Sequence, residues 1–552
     1  MLRNKKKLFA GIFVLVFIAT TVPLFGDFKT SLSLKTNSAY AETFTYNDSI
    51  NYEVINGEIT ITGCAKDSIT LDIPNEIDGI PVTKLSSNAF WRALDLKVIN
   101  IPDSVVLIEE YTFSSNLNLT EMNVDENNQN YTSVDGVLFN KDVSELIQFP
   151  IKKSSIIYEV PATVTTLKTR AFSQAEIRGV KLPTGLKTIE ASTFLGCFQL
   201  LNITIPSTVS NIGVYSFISC PLLTDIKVSR ANEYYASLDG VLYTYDGTTL
   251  VQYPVGRTET EYIIKDGTKI INDGAFMNCT ALTSVTIPEG VISIKQSAFD
   301  NTGLKSVTIP STVEVLGNCA FWQCSDLAEV NFNGNSNLNE MGEAVFGMCE
   351  SLKKIEIPNG VSYLELGAFL SCTNLEEVIL PNSLSNIGMA AFDSCTSLKS
   401  ITIPDSTNRI FTLAFNNCTS LTDVYIPHHI ISIGNNAFGY KYSSSGGLEH
   451  NPILTIHSYD GTVAEQYAIE NALDFASLGE IPLPTGDLNR DGVISSDELK
   501  KLMVTIFGEK KINGVTSITP KQAQYADTNN DGVLNVFDKV NMKRNILYQN
   551  NN

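Results

Sequence analysis

Leu282-Thr-Ser-Val-Thr-Ile-Pro288 is followed by Glu-Gly-Val-Ile-Ser-Ile294 and then by Ala298-Phe299. The same pattern recurs from Leu398-Lys-Ser-Ile-Thr-Ile-Pro404 to Ala414-Phe415. Leu-x-x-Val-x-Ile alternates apolar with polar residues, the period of a short strand with one buried face. The proline stops ladder pairing at the strand's end. A second apolar stretch and Ala-Phe bring the chain back through a core. Working outward, the phenylalanines fall in phase at Phe90, Phe113, Phe172, Phe194, Phe217, Phe276, Phe299, Phe321, Phe346, Phe369, Phe392, Phe415 and Phe438. Most steps are 22 or 23 residues, and Phe321 to Phe346 is 25. A unit this short cannot bury its apolar face alone, but stacked units can, with strands about 4.8 Å apart in parallel sheets. The pattern predicts one continuous solenoid of short parallel strands.

Two steps are 59 residues, Phe113 to Phe172 and Phe217 to Phe276. Both contain one insert, Ser133-Val-Asp-Gly-Val-Leu-Phe139 and Ser237-Leu-Asp-Gly-Val-Leu-Tyr243, ending in Gln-Phe-Pro150 and Gln-Tyr-Pro254. Asp246-Gly247 signals a hairpin turn. The inserts lie 104 residues apart, which points to duplication of a whole block. Eight of ten cysteines, Cys197, Cys220, Cys279, Cys324, Cys349, Cys372, Cys395 and Cys418, sit three residues after a phenylalanine. A position repeated in every coil is a packing position, so these read as small buried hydrophobes and not as bridges. Cys64 and Cys319 fall outside that pattern.

The 552-residue chain carries a net charge of −20, which argues against nucleic acid or an anionic membrane as partner. A basic start, Met1-Leu-Arg-Asn-Lys-Lys-Lys7, and an apolar run from Leu8 to Phe25 read as an export signal over residues 1–41, cut after Ala41. An earlier cut and an uncleaved anchor are the alternatives; with cleavage, no membrane association is expected.

Residues 476–486, with two prolines and two glycines, read as a linker. Beyond it stand Asp487-Leu-Asn-Arg-Asp-Gly-Val-Ile-Ser-Ser-Asp-Glu498 and Asp527-Thr-Asn-Asn-Asp-Gly-Val-Leu-Asn-Val-Phe-Asp538. Each fits a twelve-residue calcium loop, with oxygen ligands at positions 1, 3, 5, 9 and 12, a backbone carbonyl at 7 and glycine at 6. The candidate ligands are Asp487, Asn489, Asp491, Ser495 and Glu498 with the Val493 carbonyl, and Asp527, Asn529, Asp531, Asn535 and Asp538 with the Val533 carbonyl. Two calcium ions are expected. Each loop precedes helix-compatible sequence, as in Leu499, Leu502, Met503 and Ile506 on one face. The prolines before the first loop leave no room for an EF-hand's leading helix.

The repeat of residues 42–475 resembles the BspA-like bacterial leucine-rich repeats, with their Leu-x-x-Val-x-Ile-Pro and Ala-Phe-x-x-Cys signatures. Tyr459-Asp-Gly-Thr-Val-Ala-Glu-Gln-Tyr-Ala468 resembles the cap that closes such arrays. Residues 487–548 resemble a type I dockerin, departing from it at Glu498 and in a longer stretch between the halves. These resemblances imply a mixed fold: a leucine-rich-repeat solenoid plus a small α-helical calcium-binding domain. They also imply calcium-dependent attachment to a cohesin module of a scaffoldin in a cellulosome-like assembly outside the cell. The dockerin family's recognition positions fall on Ser496, Asp497, Met503 and Val504 and on Val536, Phe537, Lys543 and Arg544. The solenoid is expected to present a surface to a protein or cell-surface ligand. Its outward strand residues include Ser284, Thr286, Ser306, Thr308, Ser400 and Thr402, with Lys354, Glu356, Glu377, Asp423 and Tyr425. No ligand residue is nominated there, since small polar residues also suit a solvated strand face. His428-His429 follow Pro427 and read as exposed. No His-Glu-x-x-His, Gly-x-Ser-x-Gly or P-loop occurs, so the expectation is a non-catalytic subunit. A polysaccharide-binding accessory or a glycoside hydrolase component of plant-polysaccharide degradation are the alternatives.

Overall fold

The computed structural model describes residues 43–479, except 66, 154–155, 444–446 and 452. The calcium loops, the cohesin positions and the export signal lie outside the described residues. The repeat forms a parallel-strand solenoid of leucine-rich-repeat type. Each coil has three corners, and each corner stacks on the next coil. The first strand, such as Ser284–Thr286, pairs in parallel with Glu261–Ile263 of the preceding coil. The second is only two residues long. Ile270–Ile271, Ser293–Ile294, Val315–Leu316 and Glu340–Met341 run side by side. The third corner hydrogen-bonds through the phenylalanine amides, as in Phe299 N–H to the Ala320 carbonyl at 2.8 Å and Phe321 N–H to the Val345 carbonyl at 2.9 Å. Turning this tightly takes left-handed backbone two residues before each phenylalanine, at Ser297, Cys319 and Ala344, with φ of 52°, 56° and 52°. L-residues pay roughly 1–2 kcal/mol for that conformation, so the stacking must outweigh it.

The aromatic rings supply that stacking. Adjacent rings from Phe276 to Phe438 lie 4.8–5.7 Å apart with interplanar angles of 3–15°. The cysteines do more than fill space. Seven of the eight donate S–H to the carbonyl of the phenylalanine one coil back, from Cys197 to Phe172 at 3.0 Å through Cys418 to Phe392 at 3.2 Å. All ten are free thiols. Burial pushes Cys324 and Cys372 up to about 12, which keeps them protonated and unreactive.

The 59-residue steps resolve into a hairpin followed by an ordinary coil. Phe149 stacks on Phe172 at 5.1 Å and Tyr253 on Phe276 at 5.2 Å, so both belong to the aromatic column. Ahead of each, a hairpin interrupts the stack. Strands Tyr131–Val134 and Val137–Asn140 are antiparallel, as are Tyr235–Leu238 and Val241–Thr244. Asp135-Gly136 and Asp239-Gly240 join them with positive φ at both central residues, the geometry of a type I′ turn. These hairpins are buried on both faces. Leu138 packs into the core upstream, while Val137 and Phe139 pack downstream. Leu242 divides in the same way from Val241 and Tyr243. The main core is therefore three large clusters separated by two-faced partitions, with smaller apolar groups beside them, and not the single continuous stack the period suggests.

A buried asparagine locks each partition. The Asn232 amide donates to the carbonyls of Pro206 and Val209 at 2.8 and 2.9 Å, and its oxygen accepts from the Tyr234 and Tyr235 amides at 2.8 Å each. Asn128 makes the equivalent four bonds. Asn232→Ala strands all four partners, and the expected cost is at least about 2 kcal/mol, read as a lowered urea midpoint.

Two ends close the array. An antiparallel sheet of Thr43–Tyr46, Ile50–Ile55 and Glu58–Cys64 precedes the first coil and joins Ile80–Leu85 in parallel. At the other end, strand Thr455–Ser458, helix Val463–Glu470 and strand Asp474–Ser477 cover the last phenylalanine. Thr462 caps the helix through the Glu465 amide, and the Tyr467 hydroxyl donates to the Phe438 carbonyl at 3.0 Å. The sheet runs to Ser477, so the first two residues of the expected linker are strand.

Two carboxyls lie inside the corner after the phenylalanines. Burial pushes Asp300 up to about 8. It also pushes Asp393 up to about 6, although Tyr442, Ser394 and Asn416 hydrogen-bond to it. A folded-state value above the unfolded one gives stability that is complete below the unfolded value and lost as pH rises through the folded value. The contribution of these two groups to stability should therefore decline from about pH 4 to about pH 8. Asp300→Asn should flatten that decline in thermal melts taken across the range.

Candidate functional site

The outward strand positions form two columns set by parallel register. Ser400, Asp423 and Thr455 share one, and Thr402, Tyr425 and His457 the other. Ser284, Thr286, Ser306, Thr308, Ser400 and Thr402 are exposed as expected, as are Lys354, Glu356, Glu377 and Tyr425, whereas Asp423 is half-buried. Lys354 and Glu377 form an ion pair at 2.8 Å. His457, which the sequence pattern did not flag, explains Asp423. Its Nε2 lies 2.8 Å from Asp423 Oδ1, and its ring stacks on Tyr425 at 4.4 Å. The hydrogen bond to His457 holds the Asp423 carboxyl below the usual range. His428 and His429 are half-buried, not exposed as their place after Pro427 suggested, because Tyr459 of the cap lies edge-on to His428 at 5.7 Å. Burial, and then the charge of His429, lower the pKa of His428. Two aromatic groupings thus form at the cap end, Tyr425 with His457 and His428 with Tyr459, each between residues far apart in sequence.

The second feature is the junction ahead of the first insert. The hairpin separates strand Leu107–Ile108 from strand Glu145–Gln148, and a cleft of about 310 Å³ opens between them. Val106, Ile108 and Ile147 give it apolar walls; Glu109, Glu110, Glu145 and Lys168 give it charge. Tyr131 is fixed by its hydroxyl, which accepts the Ile108 amide at 2.9 Å. Glu109 pairs with Lys84 at 2.5 Å, and Lys168 with Glu190 at 2.7 Å. Burial works against the Lys168 charge, but the Glu190 hydrogen bond and then the charges of Glu190, Glu145 and Glu110 raise its pKa overall.

The duplicated block supplies an internal comparison. At the second junction the counterparts of Glu109, Glu110, Glu145 and Lys168 are Gly213, Val214, Thr249 and Asn272. Tyr215 settles there against Gly274, where an added Cβ would come within 2.7 Å of its ring. Leu195, Ile218 and Met277 complete an apolar plug around it. Their counterparts at the first junction are Trp91, Ser114 and Ser173, with Arg170 in place of Gly274. The Arg170 guanidinium lies over the Tyr111 ring at 4.8 Å. The two junctions thus differ in charge along the cleft, and at the neighbouring corner an apolar plug in one stands where Ser114, Arg170 and Ser173 line a small separate pocket in the other.

Among the described residues no group of three His, Cys, Asp or Glu side chains is placed to hold a metal ion, and no helix is long and apolar enough to cross a membrane. The predicted calcium ligands between Asp487 and Asp538 and the cohesin positions between Ser496 and Arg544 lie outside the described residues.

An EF-hand family matches residues 486–503, which contain the first acidic loop. A leucine-rich-repeat protein from Bacteroides ovatus is 25% identical over 79% of this chain and 99% of its own, with a TM-score of 0.42. One from Eubacterium ventriosum is 22% identical over 68% and 94%, with a TM-score of 0.44. A leucine-rich cell surface protein from Faecalibacterium prausnitzii is 21% identical over 78% and 97%, with a TM-score of 0.31. No curated protein matches. The family described as the BspA type leucine rich repeat region matches in six copies over residues 63–160, 152–237, 258–365 and 339–446. With the match spanning more than half of the sequence and the stacked coils in register beneath it, the chain belongs to the BspA-type leucine-rich-repeat family.

Proposed function

We propose that the protein is a secreted, non-catalytic binding subunit. The solenoid presents a recognition surface to a protein or cell-surface ligand, and a C-terminal calcium-loaded dockerin plugs the subunit into a cohesin of a scaffoldin. The observation that carries the first half is the extended outward strand surface, most of whose residues stand exposed along the stacked coils from Glu261 to the cap. Such surfaces are what solenoids use to bind. The EF-hand match at residues 486–503 supports calcium binding in the second half, and the repeated spacing at Asp527 to Asp538 supports a second ion. An array of glycans and exported proteins probed with the full chain tests the recognition role. Capture of a protein ligand is expected; hydrolysis of soluble glycans, or binding confined to cellulose or xylan, would favour the enzyme or accessory reading instead.

The two halves of the dockerin-like segment differ at the recognition positions, Ser496-Asp497 against Val536-Phe537 and Met503-Val504 against Lys543-Arg544. An aromatic anchor beside two basic residues is the composition of a binding hot spot. One dominant docking orientation is therefore expected, through the second half. Phe537→Ala should weaken cohesin binding by about 2 kcal/mol or more in calorimetric titration. Ser496→Ala should change it little, and equal losses would contradict the single orientation.

A further inference from the structure

We propose that the first-insert cleft is a binding site for a lysine side chain presented by a partner polypeptide. This rests on reading the solenoid as a recognition surface, and it names what one part of that surface takes. The cleft's charge is unbalanced in a specific way. Lys84 pairs with Glu109, and Lys168 with Glu190 outside the lining, so one of the three carboxylates that line the cleft is paired. The Glu110 and Glu145 carboxylates carry no hydrogen bond or ion pair among the described residues. Glu145 is also half-buried, where a carboxylate attracts a cation more strongly than it does in open water. The duplicated junction shows that the architecture does not require these charges, since Val214 and Thr249 stand in their places.

Shape narrows the class. A volume of about 310 Å³ lies at the lower end of ligand pockets and has room for a single long side chain. Val106, Ile108 and Ile147 offer an apolar wall to a four-carbon stem, while the two carboxylates receive the ammonium at its end. An amino sugar has the ammonium but not the stem.

The test is fluorescence anisotropy of labelled pentalysine with the full chain at physiological ionic strength, where charges more than about 8 Å apart are largely screened. Glu110→Gln/Glu145→Gln is compared with a control pair on exposed insert residues, Glu126→Gln/Glu233→Gln. The expected result is at least a tenfold loss of affinity in the cleft pair and under twofold in the control. Absence of pentalysine binding, equal losses in the two pairs, or tighter binding of a glucosamine oligomer than of pentalysine would overturn the assignment. Exposed Glu110→Lys repeats the test as a single change and should likewise lose at least tenfold. Cohesin docking by the cleft pair should match wild type. If it does while pentalysine fails to bind, the cleft assignment falls and the docking reading stands.

Discussion

Replacing Phe321 by alanine is expected to destabilise the third core cluster by about 3–5 kcal/mol. Phe321 is fully buried between Phe299, at 5.1 Å and 3°, and Phe346, at 5.4 Å and 11°. Its removal leaves a cavity that the neighbouring rings cannot close, because each is held by its own left-handed turn and amide ladder. Stability in a solenoid is a sum of unit and nearest-neighbour terms, so the loss falls on the junctions on either side of that coil. The first two clusters, beyond the hairpin partitions, should keep their protection. Hydrogen exchange on the full chain would show the loss confined to the region around residues 299–346. Phe198→Ala, at a ring that is 53% exposed, should change stability by no more than about 0.5 kcal/mol. Uniform loss of protection from residue 50 onward would mean that the partitions do not divide the core.

The second large effect concerns the ions. Asp487→Ala and Asp527→Ala each remove the position-1 ligand of one twelve-residue loop. The first loop carries Asp487, Asp491 and Glu498 and the second Asp527, Asp531 and Asp538, and three clustered carboxylates repel one another without a cation. Calcium that binds the folded form alone stabilises it by about 2.7 kcal/mol at a hundredfold excess over Kd. Each substitution should therefore remove one ion from the stoichiometry read by calorimetry and sharply weaken cohesin capture. Retention of two ions in either variant would mean that the ligand assignment for that loop is wrong.

Much of the solenoid was legible in the sequence because a stacked array repeats one local solution. Phe276 to Phe438, the Val-x-Ile strands and the buried cysteines follow from period alone. The departures arise where structure depends on distant partners. Phe149 and Tyr253 complete the aromatic column and stand 23 residues before Phe172 and Phe276, but their place at the end of the insert, one of them a tyrosine, hid them inside the 59-residue steps. That Leu138 faces one core and Val137 another follows from the hairpin being clamped between blocks, which no local pattern records. Asn128 and Asn232 look like ordinary polar residues, although Asn128-x-x-Tyr131 and Asn232-x-x-Tyr235 recur 104 apart. The strand face read as featureless because Tyr425 and His457 are 32 residues apart and meet through the cap strand. The cleft was hidden for a related reason. Glu110 and Glu145 belong to different elements, and only the failure of strand Leu107–Ile108 to pair with the insert brings them to one opening.

Calorimetric titration of a type I cohesin into the full chain, with calcium and then with excess chelator, tests the proposed role most directly. One cohesin per chain is expected with calcium and none with chelator. Docking that survives the chelator, or that fails in saturating calcium, would contradict a calcium-dependent subunit of a scaffolded assembly.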